Sequence, residues 1–218
     1  MAIPPIAPYA LPGASELPGN KVSWTPDPDR AVLLVHDMQR YFVAPFAAGA
    51  SPLTELIGNI RRLRETAADL GVPVVYTAQP GGMTRDQRGL LHDFWGPGMS
   101  VDPGNRDIVD ELAPAPGDTV LTKWRYSAFH RTGLTELLAE QGRDQVVICG
   151  VYAHIGCLVT ACDAFAMDVQ PFLVADALAD FSRDEHLMAL RYAASRCAVT
   201  AVTDTVLTAL RARTVQRV

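Results

Sequence analysis

Residues 31–39 read AVLLVHDMQ, an uninterrupted apolar run that ends directly at His36 and Asp37. A run without polar alternation is typical of a strand buried on both faces, as in parallel sheets covered by helices. The carboxyl end of such a strand is where an open α/β sheet binds its ligands. This stretch therefore predicts a buried strand with Asp37 at the mouth of a functional site.

The rest of the chain repeats this alternation of short apolar runs and longer segments with helical periodicity. After 31–35, the predicted strands are 72–77, 119–122, 145–150, 171–175 and 198–202. The predicted helices are 53–70, 105–112, 134–141, 156–167, 183–195 and 204–213. Six alternations predict a six-stranded, mostly parallel sheet between two helical layers, a three-layer αβα architecture of Rossmann-like type.

The first 30 residues contain seven prolines, which predicts an extended N-terminal arm at 1–30 before one catalytic domain at 31–218. The net charge of −5, without a basic cluster, does not favour nucleic acid or an anionic membrane as a partner. No apolar run is long enough to span a bilayer, and the segment Met1–Tyr9 has no basic region leading into a hydrophobic stretch. We expect a cytoplasmic protein whose four cysteines are reduced and mostly buried.

Polar residues follow four consecutive predicted strands. Asp37 follows the first and Gln79 the second, Lys123 and Tyr126 come after the third, and Tyr152 comes after the fourth. Because parallel strands end at one edge of a sheet, these side chains are expected to converge there. If the strands of Asp37 and Lys123 are neighbours, the two groups form a pair that can exchange a proton at neutral pH. A helix cap or a structural ion pair is the alternative interpretation of Asp37.

Several classes of catalytic site lack their sequence signature. There is no G-x-S-x-G nucleophile elbow, no H-E-x-x-H zinc motif and no phosphate-binding loop. The five histidines are scattered along the chain, at His36, His92, His130, His154 and His186. The sequence therefore predicts no metal and no cofactor.

The strand-end segments resemble the isochorismatase family over nearly the whole chain, from Ile3 to about Val206. The matching segments are LLVHDMQRYF, VVYTAQP, LLHDFWGPGM, LTKWRYSAF, GVYAHIGCLVTACDAF and VADALADFSRDEH. This resemblance implies hydrolysis of the vinyl ether of isochorismate to 2,3-dihydroxy-2,3-dihydrobenzoate and pyruvate, as in catechol siderophore biosynthesis. The nearest alternative is the same reaction on 2-amino-2-deoxyisochorismate, giving trans-2,3-dihydro-3-hydroxyanthranilate, as in phenazine-type pathways.

The resemblance also assigns roles to individual residues. It implies that Asp37 is the general acid and that Lys123 positions it, tunes its pKa and pairs with a substrate carboxylate. The implied substrate-binding residues are Gln79, Arg88, Tyr126, Tyr152, Gly156 and Phe42. Gly156 would offer space and a backbone N–H near a helix start. Phe42 and Trp95 would wall off the ring, although core packing explains either equally well.

A cysteine amidase is a less favoured interpretation. The wider superfamily includes nicotinamidases, which resemble cysteine hydrolases, and aligning residues 160–164 to their pattern places Gly156 at the nucleophile position. Cys157 stands one residue late, a rotation of about 100° on a helix, so its side chain is expected to point into packing. The nicotinamidase Asp-x-His metal pattern is replaced by TAQPG at 77–81. A non-catalytic binding protein on the same fold is also less favoured, because Asp37 and Lys123 are both present.

The resemblance implies a homodimer or higher homo-oligomer to which the proline-rich arm contributes. Siderophore relatives often continue into an acyl-carrier domain, and this chain ends before one. We therefore expect hydrolysis alone, with a separate carrier protein needed if the product feeds a peptide synthetase.

Overall fold

A computed structural model, which describes residues 3–215, has a six-stranded parallel sheet with the order β3-β2-β1-β4-β5-β6. The strands are β1 Ala31–His36, β2 Val74–Ala78, β3 Thr119–Thr122, β4 Gln145–Val151, β5 Gln170–Ala179 and β6 Val199–Ala201. β1 and β4 are buried along their whole length. This burial accounts for their continuous apolar runs.

Helices cover both faces of the sheet, which confirms the predicted αβα architecture. They are α1 Arg40–Val43, α2 Leu53–Asp69, α3 Arg85–Arg88, α4 Leu91–Trp95, α5 Pro103–Arg106, α6 Leu134–Glu140, α7 Leu158–Ala166, α8 Arg183–Arg196 and α9 Thr203–Val215. Leu33 and Val35 of β1 pack in the core that α2 and α9 cover. Val32 and Leu34 pack in the core under α6, α7 and α8. Successive residues of β1 thus serve opposite layers.

The predicted helix at 105–112 is wrong as a single element. The structure has α5, which ends at Arg106, and a separate 3₁₀ turn at Asp110–Leu112. Between them the backbone is extended, because Ile108 forms an antiparallel bridge with Gln39 and the Val109 N–H donates to the Met38 carbonyl at 3.0 Å. A long-range backbone pairing has replaced the local helical bonds.

Two other element boundaries differ from the prediction. The helix expected at 156–167 begins with a π-helical turn at Ala153–Cys157, followed by α7. β5 continues to Ala179 instead of ending near residue 175. The acid at Asp176 is accommodated in this strand because its Oδ1 accepts the Thr203 N–H at 2.6 Å, where α9 begins.

The N-terminal arm lies along the domain. Ile6 is buried and bridges Phe46, and the Tyr9 hydroxyl accepts the Asp180 N–H at 2.7 Å. Further along, the Asn20 side chain donates to the Thr200 carbonyl at 2.9 Å. These contacts agree with an extended arm, while its division from the catalytic domain at residue 30 stays a proposal.

Within residues 3–215, no helix combines the length and the apolar character that crossing a bilayer requires.

Candidate active site

A cavity opens at the carboxyl ends of the central strands, where the strand order reverses between β1 and β4. Such a reversal is the usual ligand position in open α/β sheets. The structure brings all eight predicted site residues to this cavity: Asp37, Lys123, Gln79, Arg88, Tyr126, Tyr152, Gly156 and Phe42. The four strand ends therefore converge as the sequence predicts.

Asp37 and Lys123 form a buried ion pair on the cavity floor. Lys123 Nζ lies 2.8 Å from Asp37 Oδ2, and both residues are almost fully excluded from solvent. Burial by itself raises the pKa of the Asp37 carboxyl. The Lys123 ammonium and hydrogen bonds from Lys123 and Thr77 outweigh burial, so the pKa lies below its usual 3.8. Asp37 is therefore ionised at neutral pH when the cavity holds no ligand.

The two charged groups meet although their strands are not neighbours. β2 lies between β1 and β3, so the condition that the strands of Asp37 and Lys123 are neighbours does not hold. Thr77 of β2 fills the gap: its hydroxyl donates to Asp37 Oδ1 at 2.6 Å and accepts the Asp37 N–H at 3.1 Å. Asp37 itself has φ +50°, a left-handed conformation that Asp tolerates better than most residues. The lysine stem spans the remaining distance across the end of β2.

Gln79 and Arg88 extend the polar side of the cavity. Gln79 Nε2 lies 3.4 Å from Asp37 Oδ2, and its Oε1 accepts from Arg88 Nη1 at 3.3 Å. Arg88 Nε donates to the Gly96 carbonyl at 2.9 Å, and a Cβ at Gly98 would stand 2.7 Å from the guanidinium carbon. Arg88 is 6% exposed and pairs with no carboxylate in the described part of the chain. This cation is thus available to a bound anion.

Aromatic rings form the opposite wall. Tyr152 and Phe181 have ring centroids 4.4 Å apart, and Phe42 meets Tyr152 edge-on at 6.2 Å. Trp95 Nε1 donates to the Tyr126 hydroxyl at 2.7 Å, whereas the Tyr152 hydroxyl donates to the Phe42 carbonyl at 2.6 Å. Tyr126 therefore keeps its own proton to donate, while Tyr152 presents mainly its ring.

Gly156 lines the cavity from the π-helical turn, and Cys157 does not. Cys157 is fully buried in the core beneath α6, α7 and α8. Burial raises the pKa of its thiol well above 9. Cys157 thus points into packing, as the one-residue offset predicts, and remains a neutral thiol.

Sequence reasoning missed several lining or supporting residues. Thr77 carries a signal, a hydroxyl inside an otherwise apolar strand. Gln39 also carries one, a polar amide two residues after Asp37; in the structure it is fully buried and bonds both the Gln79 N–H and the Gln79 carbonyl. Ile3 and Phe181 line the cavity from the arm and from the end of β5. These apolar residues lie far in sequence from Asp37 and Lys123, and nothing in their local sequence indicates that they line the cavity.

One group of possible metal ligands occurs among the described residues, at His154, Asp180 and Glu185, with ligand atoms within 4.8 Å of one another. It lies outside the cavity lining. Both Asp180 oxygens are already engaged, by His154 Nδ1 at 2.6 Å and by the backbone N–H groups of His154 and Phe181 at 2.7 and 2.9 Å. These bonds fit a structural network at the end of β5.

Two buried histidines should make the stability of the fold depend on pH. Burial lowers the pKa of His36 and His186 to about 4 from the ordinary 6.5. Between these values the unfolded chain binds protons that the folded chain does not. We therefore expect the free energy of unfolding to fall as the pH drops from 6.5 towards 4, by up to about 1.4 kcal/mol per histidine per pH unit.

Urea denaturation at pH 7, 6 and 5 measures this slope. His186→Gln should reduce it, because the glutamine does not titrate, whereas the matched change His130→Gln, at an exposed site, should leave it unchanged. An equal slope in His186→Gln and in the unchanged protein would contradict the expectation.

Comparisons with known proteins agree with this geometry. The isochorismatase domain family matches residues 31–205. The isochorismatase of Bacillus subtilis (strain 168) is 61% identical, over 97% of this chain and 68% of that protein. The phenazine biosynthesis protein PhzD of Pseudomonas fluorescens is 58% identical, over 94% of this chain and 98% of that protein. Component B of the enterobactin synthase of Escherichia coli (strain K12) is 52% identical, over 96% of this chain and 73% of that protein.

Among solved structures, a cysteine hydrolase from Pseudomonas syringae pv. phaseolicola 1448A superposes with a TM-score of 0.78. It is 22% identical, and the match covers 88% of this chain and 97% of that one. This likeness supports the fold.

Proposed function

The chain belongs to the isochorismatase family of hydrolases, and from this premise we propose that it hydrolyses the vinyl ether of isochorismate to 2,3-dihydroxy-2,3-dihydrobenzoate and pyruvate. The observation that carries the proposal is the buried Asp37–Lys123 pair in a cavity whose described lining contains no cysteine or serine. Such a site is equipped for proton transfer and not for acyl transfer through a serine or a cysteine.

The first chemical step is protonation of the enolpyruvyl methylene carbon by Asp37. The free carboxyl is ionised, so it must gain a proton from solvent when substrate binds. Isochorismate carries two carboxylates, and negative charge near Asp37 raises its pKa by repulsion. Lys123 can pair with one substrate carboxylate, which weakens its stabilisation of the Asp37 anion. Substrate binding thus converts Asp37 from a paired carboxylate to a proton donor.

The second step is the addition of water. Protonation of the methylene gives an oxocarbenium ion, and water attacks its ether carbon. The hemiketal forms as the water loses a proton, which the Asp37 carboxylate accepts, and then collapses to pyruvate and the ring alcohol. One water is consumed and the acid is regenerated. No covalent enzyme intermediate is needed, which fits a glycine at position 156 and a protonated, buried Cys157.

Charge and shape support an anionic, cyclic substrate. Arg88, which pairs with no carboxylate among residues 3–215, supplies a second cation in an acidic chain, and a guanidinium binds carboxylates in two-pronged geometry. The rings of Phe42, Tyr152 and Phe181 offer an apolar wall for the cyclohexadiene. Tyr126 and Gln79 are left for the substrate's polar groups.

We further propose that the enzyme acts in the cytoplasm as a homodimer or higher homo-oligomer, with a separate carrier protein where its product enters a peptide synthetase. The four cysteines, all unpaired in the structure, support a reducing compartment. The relative named as a synthase component supports a link to carrier-dependent synthesis. Light scattering of the purified chain tests the oligomer.

The test of the reaction is pyruvate release, coupled to lactate dehydrogenase, from isochorismate and separately from 2-amino-2-deoxyisochorismate. The second substrate is included because a phenazine biosynthesis protein is 58% identical. A larger kcat/KM for isochorismate supports the proposal, and a larger value for the amino compound assigns the phenazine-type reaction. No pyruvate from either substrate would refute vinyl ether hydrolysis.

A further inference from the structure

Gly156 faces a side chain that leaves it no room for one of its own. A Cβ built at Gly156 would lie 2.2 Å from His36 Cε1, 2.9 Å from Nε2 and 3.2 Å from Nδ1. The first two distances are shorter than real Cβ atoms show, and all three atoms belong to one imidazole ring. The ring of His36 therefore occupies the volume that a side chain at position 156 would need.

The imidazole has little freedom to move aside. His36 is the last residue of β1 and is paired with Thr77 of β2 on one side and Gly150 of β4 on the other. It is fully buried, and Nδ1 lies 2.8 Å from the Val151 carbonyl oxygen. A carbonyl only accepts, so Nδ1 carries the proton of this bond. Two strands and one hydrogen bond thus fix the ring.

The occupied volume adjoins the proposed catalytic acid. His36 Nδ1 lies 3.9 Å from Asp37 Oδ2, and both His36 and Gly156 line the cavity. A side chain that projected from position 156 would therefore enter the site beside the carboxylate and Lys123. Instead the wall at this point consists of backbone and an imidazole.

We propose that His36 is a specificity-determining residue of the site: its imidazole keeps position 156 free of any side chain, so no nucleophile can stand beside Asp37 and Lys123. The steric part of this proposal is independent of the substrate. Its meaning for reaction type rests on the proposed function, because the proposed proton-transfer hydrolysis needs no nucleophile at this wall. A side chain at position 156 then requires that His36 also be replaced by a smaller residue.

A double-mutant cycle in thermal stability tests the steric part. Alanine favours helical backbone over glycine, so Gly156→Ala should stabilise the protein unless it clashes. We expect it instead to lower Tm by at least about 5 °C, through overpacking. His36→Ala should also lower Tm, because it leaves a cavity. The double variant His36→Ala/Gly156→Ala should melt no lower than His36→Ala alone.

The matched control is Gly58→Ala, at a helical glycine of α2 with nothing within 4 Å of the added carbon, which should keep or raise Tm. Additive losses in the double variant would overturn the proposal. If Gly156→Ala is insoluble, the soluble yield of the double variant replaces Tm. An insoluble double variant beside a folded His36→Ala overturns the proposal equally.

Thiol labelling tests whether position 156 opens to the cavity. In folded His36→Ala/Gly156→Cys, we expect iodoacetamide to alkylate the new cysteine at least about tenfold faster than the buried Cys157, as peptide mapping by mass spectrometry would measure. Equal protection of both thiols would overturn the proposal. Neither readout uses isochorismate, so a failed pyruvate assay with a successful cycle refutes the proposed function alone.

Discussion

We expect Asp37→Asn to lower kcat for pyruvate release from isochorismate by about 10²- to 10⁴-fold, the range that one general acid contributes. The amide is nearly isosteric and keeps oxygen and nitrogen atoms near Thr77 and Lys123, but it cannot deliver a proton to carbon. Steady-state rates at saturating substrate measure the loss. Because the proposed role lies in the chemical step, KM should change far less than kcat.

The control for this prediction is Asp69→Asn, the same substitution at an exposed position in the last turn of α2, which should retain full activity. Circular dichroism and Tm of the Asp37 variant establish that it is folded. A folded Asp37→Asn protein with an unchanged kcat would remove Asp37 from the mechanism and leave the fold assignment intact.

The order of elements was predictable because strands buried on both faces require continuous apolar residues, a pattern visible in the sequence. Strands such as β1 and β4 are covered on both faces, so their interior residues are apolar, and polar residues follow once the chain reaches the carboxyl end of the sheet. In a parallel sheet all these ends coincide. Asp37, Gln79 and Lys123 could therefore be placed at one site although 40 or more residues separate them along the chain.

What the sequence could not predict depends on partners distant in the chain. β5 is predicted to end at residue 175, yet it continues through the partly buried Asp176, whose carboxylate accepts a hydrogen bond from the Thr203 N–H. The residues 105–112 carry helical periodicity, yet Ile108 pairs with Gln39. Likewise, the two charges of the site meet across β2 only because Thr77 and a long lysine stem bridge it. Each outcome depends on a contact that no local pattern records.

The contribution of the N-terminal arm to the site likewise could not be predicted from local sequence. Its seven prolines predict an extended segment, but they do not indicate where that segment lies. Ile3 lines the cavity, and Tyr9 bonds the end of β5 beside Phe181 of the aromatic wall. The arm therefore contributes to the shape of the site, although it contains none of the residues singled out for chemistry.

The buried ion pair should also dominate the stability of the site. Lys123→Met keeps most of the side-chain volume but leaves the Asp37 carboxylate buried without its cation, which we expect to lower the free energy of unfolding by roughly 3–5 kcal/mol. Urea denaturation at pH 7 measures this loss. The double variant Asp37→Asn/Lys123→Met should recover most of it, since no unpaired charge remains, while staying inactive.

The matched control is Arg30→Met, which also removes a cation about 2.7 Å from an aspartate, here Asp144, but in a pair whose side chains are 41% and 53% exposed. Because water solvates the remaining carboxylate, this loss should stay below about 1 kcal/mol. Because both ion pairs have similar N···O distances, the comparison isolates the effect of burial on the free energy of unfolding. If Lys123→Met lowered the free energy of unfolding no more than Arg30→Met does, the Asp37 carboxylate would have to become protonated or hydrated in the variant. That outcome would contradict the predicted cost of a buried, unpaired Asp37 carboxylate.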